Sequence, residues 1–232
     1  MTTQTASAAL SDALVFLRQF TRTSRSTGAI APSGAALSRA LIRHVHPGGP
    51  DQPRAVLEVG PGTGAVTRHL ARRLGPYDTL ELVEANPHFA HRLSNALHRD
   101  PLLTALAPRT RLRHGLVQDQ MLGRYDSIVC GLPFANFPPD QIEAVFRQLF
   151  AALRPGGRLS FFSYAGGRTL QKMDRRQAAA RHALRTATDR HLLHSELVLP
   201  NLPPARVHHL AAPTPALCRC GGARHEEQDS RA

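Results

Sequence analysis

The chain has 232 residues, 42% of them hydrophobic, and a formal net charge of +12 at pH 7. That length fits one large α/β domain with a full core, and the absence of any run of about 18 apolar residues excludes a transmembrane helix. The charge calls for an anionic partner, either nucleic acid phosphate or an acidic membrane surface, and does not choose between them.

Residues 1–50 read as an N-terminal helical arm. Leu10, Leu14 and Leu17 recur at helical spacing beside Phe16 and Phe20, with Arg18, Arg22 and Arg25 following. That pattern is a candidate interfacial helix, with apolar residues at the headgroup boundary and arginines on anionic lipid. No charged and apolar leader precedes it, so cytosolic synthesis is expected. A second helical pattern runs through Leu37, Leu41 and Ile42. The Gly- and Pro-rich stretch His46–Pro53 reads as a linker.

Residues 51–212 read as the main domain. Strands are predicted at Ala55–Val59, Thr79–Glu84, Thr110–His114, Tyr125–Cys130, Arg158–Tyr164, Ser195–Leu199 and Ala205–Leu210. Helices are predicted at Ala65–Leu74, Pro87–Arg99 and Pro139–Leu153, with a long basic helical stretch at Arg168–His194. The alternation predicts a Rossmann-like α/β fold: a seven-stranded, mostly parallel, doubly wound sheet with helices on both faces. Residues 213–232 lack periodicity and read as a disordered tail. Cys130 reads as a core residue. Cys218 and Cys220 have the wrong spacing for zinc and no second pair, and no other His, Cys, Asp or Glu cluster has ligand spacing, so no metal is expected.

Ligands of such sheets bind at the carboxyl ends of the strands. There the first strand runs into Gly60-Pro61-Gly62-Thr63-Gly64. Glycines at 60 and 62 permit a tight turn and close backbone approach to a ligand. Glu84 closes the second strand, where a carboxylate can accept both ribose hydroxyls. Glu58 is ill placed beside a pyrophosphate but suits the cationic methionine end of S-adenosylmethionine (SAM). The expected cosubstrate is therefore SAM rather than a dinucleotide.

Val56–Gly64 and Leu82-Val83-Glu84-Ala85-Asn86-Pro87-His88-Phe89 resemble motifs of class I methyltransferases. Three further segments are more specific: Arg25–Ser33, Gly131-Leu132-Pro133-Phe134-Ala135-Asn136-Phe137-Pro138, and Asn201-Leu202-Pro203-Pro204-Ala205-Arg206-Val207. Together they resemble the bacterial phospholipid N-methyltransferases, which convert phosphatidylethanolamine stepwise towards phosphatidylcholine. The resemblance runs from about Asp12 to His209. It implies a SAM site that also includes Gly28, Ala29, Ile30, Ala85, Asn86, Leu116, Gly131 and Leu132. The related rRNA adenine dimethylases carry Asn where this chain has Gly131, which favours a lipid amine over a nucleobase. The chain departs from the family at Gly115-Leu116-Val117-Gln118-Asp119, where Leu116 replaces an Asp that meets adenine; Asp119 is the nearest substitute. An rRNA adenine N6-methyltransferase and a non-enzymatic SAM- or lipid-binding relic are the alternatives.

Methyl transfer is an in-line displacement that needs alignment and exclusion of water rather than a metal. The acceptor amine must lose a proton first, and Tyr164, a water or a histidine would receive it. Tyr164, at the end of the fifth strand, and Phe134 are expected to line the amine pocket, with Pro133 beside them. Arg206 is expected to hold the lipid phosphate. His44, His91 and His208 read as surface residues. The expected partners are a phospholipid and an anionic membrane, with nucleic acid less favoured, and the expected location is the inner face of the cell membrane.

Overall fold

The structure, a computed structural model, describes residues 34–164, 175–201 and 204–212. The candidate interfacial helix, Gly28–Ile30 and the tail from residue 213 lie outside the described residues.

Seven strands form one sheet: β1 Ala55–Val59, β2 Thr79–Glu84, β3 Thr110–His114, β4 Tyr125–Cys130, β5 Leu153–Tyr164, β6 Leu192–Val198 and β7 Ala205–Ala211. Their order is β3-β2-β1-β4-β5-β7-β6. The first five pair in parallel, and β7 runs antiparallel between β5 and β6. The expected Rossmann-like sheet is thus present, with one antiparallel hairpin at its edge. The strand order reverses between β1 and β4, which places the switch point beside the glycine loop.

The helices are α1 Ala35–Leu41, α2 Ala65–Arg73, α3 Pro87–Arg99, α4 Pro101–Thr104, α5 Pro139–Ala152 and α6 Arg175–Thr188. Two apolar layers cover the sheet. One unites Leu57, Ile128, Leu159 and Phe161 with Ile142, Phe146 and Leu149 of α5 and Ala180 and Ala183 of α6. The other unites Val56, Leu80, Val129, Phe162 and Val207 with Leu37 and Leu41 of α1, Val66 and Leu70 of α2, and Leu93 and Leu97 of α3. β1 contributes to both layers because alternate side chains of a strand leave opposite faces.

Two differences from the sequence reading follow from packing. First, α1 is not part of an arm: Leu37 and Leu41 are fully buried, and the helix touches α2, β5, β6 and β7. Second, His46–Pro53 does not separate it from the domain. The buried Asp78 carboxylate accepts the amides of Gly48, Arg54 and Gly75, the last two at 2.8 Å. One side chain thus ties that stretch to the foot of β2.

Candidate cosubstrate site

The site is built at the ends of β1, β2 and β4. Gly60, Gly62 and Gly64 all have left-handed φ, of 69°, 55° and 80°, a region costly for residues with a Cβ. A Cβ on Gly60 would lie 2.9 Å from Leu132, and one on Gly64 would lie 3.0 Å from Leu93. A Cβ on Gly62 would meet nothing within 4 Å. Gly62 therefore faces the space where a ligand would lie, while its neighbours fit the loop against the protein.

Two carboxylates stand beneath the loop. Glu84 is buried; its Oε2 accepts the Gly62 amide at 2.9 Å and its Oε1 accepts the Asn86 amide at 2.8 Å. Burial pushes its carboxyl up, and those amides oppose the shift. Each oxygen keeps a lone pair for a ribose hydroxyl. Glu58 is also buried, and its Oε2 has no hydrogen-bond partner. Burial pushes the Glu58 carboxyl up to about 8; Glu84 nearby adds to this, and Thr67 on α2 opposes it. This setting favours Glu58 in its protonated form, since a buried, unpartnered carboxylate is costly, and a cationic ligand group would stabilise the ionised form and release that proton. The residues present therefore fit the amino-acid end of SAM at Glu58 and its ribose at Glu84. Asn86 holds the next turn, its Oδ1 capping α3 through the His88 and Phe89 amides.

Leu116 is half-buried and precedes the short turn Val117–Asp119, in which Val117 is buried and Asp119 exposed. The wall after β3 is thus apolar, with a carboxylate only at its outer end. Gly131 has a packing reason: its amide donates to Val59 at 2.8 Å, and a Cβ there would lie 2.8 Å from the Gly60 carbonyl. The close approach of β1 and β4 explains the glycine, so it says less about the acceptor than expected. Leu132 and Pro133 are half-exposed beside the loop.

Tyr164 and Phe134 are not brought together. Phe134 is buried in an aromatic cluster with Phe137, Phe146 and Phe161, on the α5 face. Tyr164 stands edge-on to Phe162, 5.2 Å between ring centres, on the α1 face. The alternation of β5 separates them. It separates Tyr164 from Arg206 as well, because Arg206 pairs with Ser163 while Tyr164 pairs with Ala205. Arg206 is exposed and has no ion pair among the described residues. Tyr164 shares its sheet face with Glu58 and is the aromatic hydroxyl on that side of the switch point. Burial raises its phenol, which stays protonated at neutral pH.

His208 and His44 are not simple surface residues. His208 stacks on Phe161 at 4.8 Å and lies between the hydroxyls of Ser163 and Ser195, each 2.9 Å away. His44 meets His194 and His209. Burial lowers both His44 and His208 to about 4, so both are neutral at pH 7.

This geometry has counterparts among known proteins. Residues 57–159 match the family described as methyltransferase domain, spanning β1 into β5. The fold is shared with glycopeptide N-methyltransferase MtfA, solved with sinefungin (TM-score 0.61, 12% identity, 79% of this chain and 88% of that one). It is also shared with TrmN from Thermus thermophilus (TM-score 0.57, 20% identity, 77% of this chain but 49% of that one). Residues 57–159 therefore resemble a methyltransferase domain, and the Rossmann-like fold is the one these solved methyltransferases share. Its sequence is 28% identical over 148 residues to ornithine lipid N-methyltransferase of Singulisphaera acidiphila, covering 64% of this chain and 76% of that protein.

Proposed function

We propose that this chain transfers a methyl group from SAM to the amine of a membrane lipid headgroup. The observation that carries the cosubstrate half is the buried Glu58 carboxylate with one unpartnered oxygen under a left-handed glycine loop. The lipid half is supported by the ornithine lipid N-methyltransferase likeness and by the charge of +12. It is supported too by an apolar, arginine-bearing edge: Leu192, Leu193, Leu197 and Leu199 are exposed on or beside β6. A groove of about 540 Å³ beside them is lined by Arg39, Arg73, Ala36, Leu197 and the Arg43–Glu196 ion pair, among others. Leucines flanked by arginines suit an anionic bilayer surface at the inner face of the cell membrane.

Bound SAM supplies a methyl group on a sulfonium, an electrophile needing no metal. The residues do the rest. Glu58 holds the positive amino-acid end, and Glu84 fixes the ribose. Leu116 and Val117 would wall the adenine edge. The acceptor amine, ordinarily protonated, favours its neutral form when buried near a positive charge. Tyr164, held as a neutral phenol, can orient the amine by accepting a hydrogen bond from its N–H, while the amine's own proton leaves to water before attack.

The test is incubation of the purified chain with labelled SAM and anionic vesicles containing either phosphatidylethanolamine or ornithine lipid, followed by lipid separation. Label in one of the two lipids is expected and names the headgroup. Absence of label from every lipid, or label in added rRNA instead, overturns the lipid assignment.

A further inference from the structure

Three histidines far apart in the chain converge on the sheet's α1 face, away from the glycine loop. His194 of β6 lies directly opposite His209 of β7, their rings stacked with centres 4.6 Å apart. His44, just after α1, stands edge-on to both, with ring centres 5.2 Å from His194 and 4.6 Å from His209. One nitrogen of each ring lies within 4.8 Å of the others.

The β6–β7 register explains the meeting. Leu192 pairs with Leu210 but His194 pairs with His209, so Leu193 is an extra residue in β6. Without that bulge His194 would fall opposite His208. The bulge re-aims one side chain and stacks it on His209.

The surroundings suit a cation. His209 is fully buried; its Nδ1 is 2.8 Å from Ser160 Oγ and its Nε2 is 3.1 Å from Glu196 Oε1. Glu196 is gripped by Arg43 through two bonds of 2.8 and 2.6 Å, which offsets the nearest positive charge. The Nε2 of His44 is buried and has no partner. Three imidazoles crowded together, one carrying an orphaned nitrogen, form a poor core and a good ligand set.

We propose that His44, His194 and His209 form a structural site for a borderline divalent cation, zinc being the probe of choice. The site pins the end of α1 to the β6–β7 hairpin. Zinc–nitrogen bonds of about 2.0–2.1 Å require the three nitrogens to close up, and the exposed edge strand β6 and its bulge give His194 room to do so. One nitrogen of His209 exchanges its present partner for the cation. The other stays held by Ser160 or Glu196, as hydrogen-bonded second nitrogens of metal-bound imidazoles are. Binding requires neutral imidazoles. This site does not depend on the methyl-transfer reading.

The test uses the full chain, stripped with chelator and dialysed against Zn²⁺ alone at pH 7. One zinc per chain and a raised thermal midpoint are expected. His194→Ala and His194→Asn, changes at an exposed edge position, should each lose that zinc and the thermal shift while keeping the circular dichroism of the parent. His98→Ala, at an exposed position of α3 outside the cluster, should keep both. Less than stoichiometric zinc in the parent, or a full equivalent retained by folded His194→Ala, overturns the site.

Discussion

At the scale of single residues, the decisive group is Glu58. Its carboxyl is raised from 4.5 to about 8 by burial, so between those values the folded chain holds a proton that the unfolded chain has lost. Stability then falls as pH rises through that window, by up to about 1.4 kcal/mol per pH unit. The contribution is fully present below pH 4.5 and gone by the upper end. Glu58→Gln should remove this slope, read by denaturant unfolding at pH 5, 7 and 9, and leave the variant the more stable of the two at pH 9. The same change should weaken SAM binding by about tenfold or more, because the counter-charge for a cationic ligand is lost; equal affinity by calorimetry would refute the role of Glu58. Gly131 makes a different case. Its Cβ position lies 2.8 Å from a backbone carbonyl of the glycine loop, so Gly131→Ala must move that loop. A loss of about 1–3 kcal/mol in unfolding free energy and weaker SAM binding are expected together. A stable variant of full affinity would show that the loops tolerate separation.

At the scale of elements, the described part of the arm, from residue 34, and the linker after it pack into the domain. Periodicity found α1 but not its burial, since Leu37 and Leu41 look alike on an arm and in a core. The contacts with β5, β6 and β7 decide it. Asp78 was invisible because nothing local marks a carboxylate that satisfies three distant amides. Asp78→Ala should cost about 3 kcal/mol or more, as it leaves those amides unpaired, and the loss should appear as a lower urea midpoint at unchanged slope. The β6 edge carries the membrane argument. Leu197→Glu with Leu199→Glu should weaken sedimentation with anionic vesicles several-fold while leaving SAM affinity intact. Unchanged sedimentation would move the membrane contact elsewhere on the chain.

At the scale of the whole molecule, strand–helix alternation was enough to read the fold, and the glycine loop marked the strand ends where a cosubstrate is proposed to bind. These signals are local: periods of two and 3.6 residues, a turn needing glycine, a carboxylate at a strand end. The residues expected to line an amine pocket are not brought together, because they were grouped by order along the chain. The sheet sends Phe134 to the α5 face and Tyr164 to the α1 face, and Arg206 away from Tyr164. The histidine cluster could not be read at all from spacing, since His44, His194 and His209 meet only through α1 packing and a bulge. The sequence by itself therefore determined the sheet, the loop and the acidic residues proposed to hold the cosubstrate. Tertiary structure alone decided which side chains share a face, which of them are buried, and the raised affinity of Glu58 for its proton. Those depend on pairing register and on exclusion of water by segments distant in the chain, and neither is written in any local pattern.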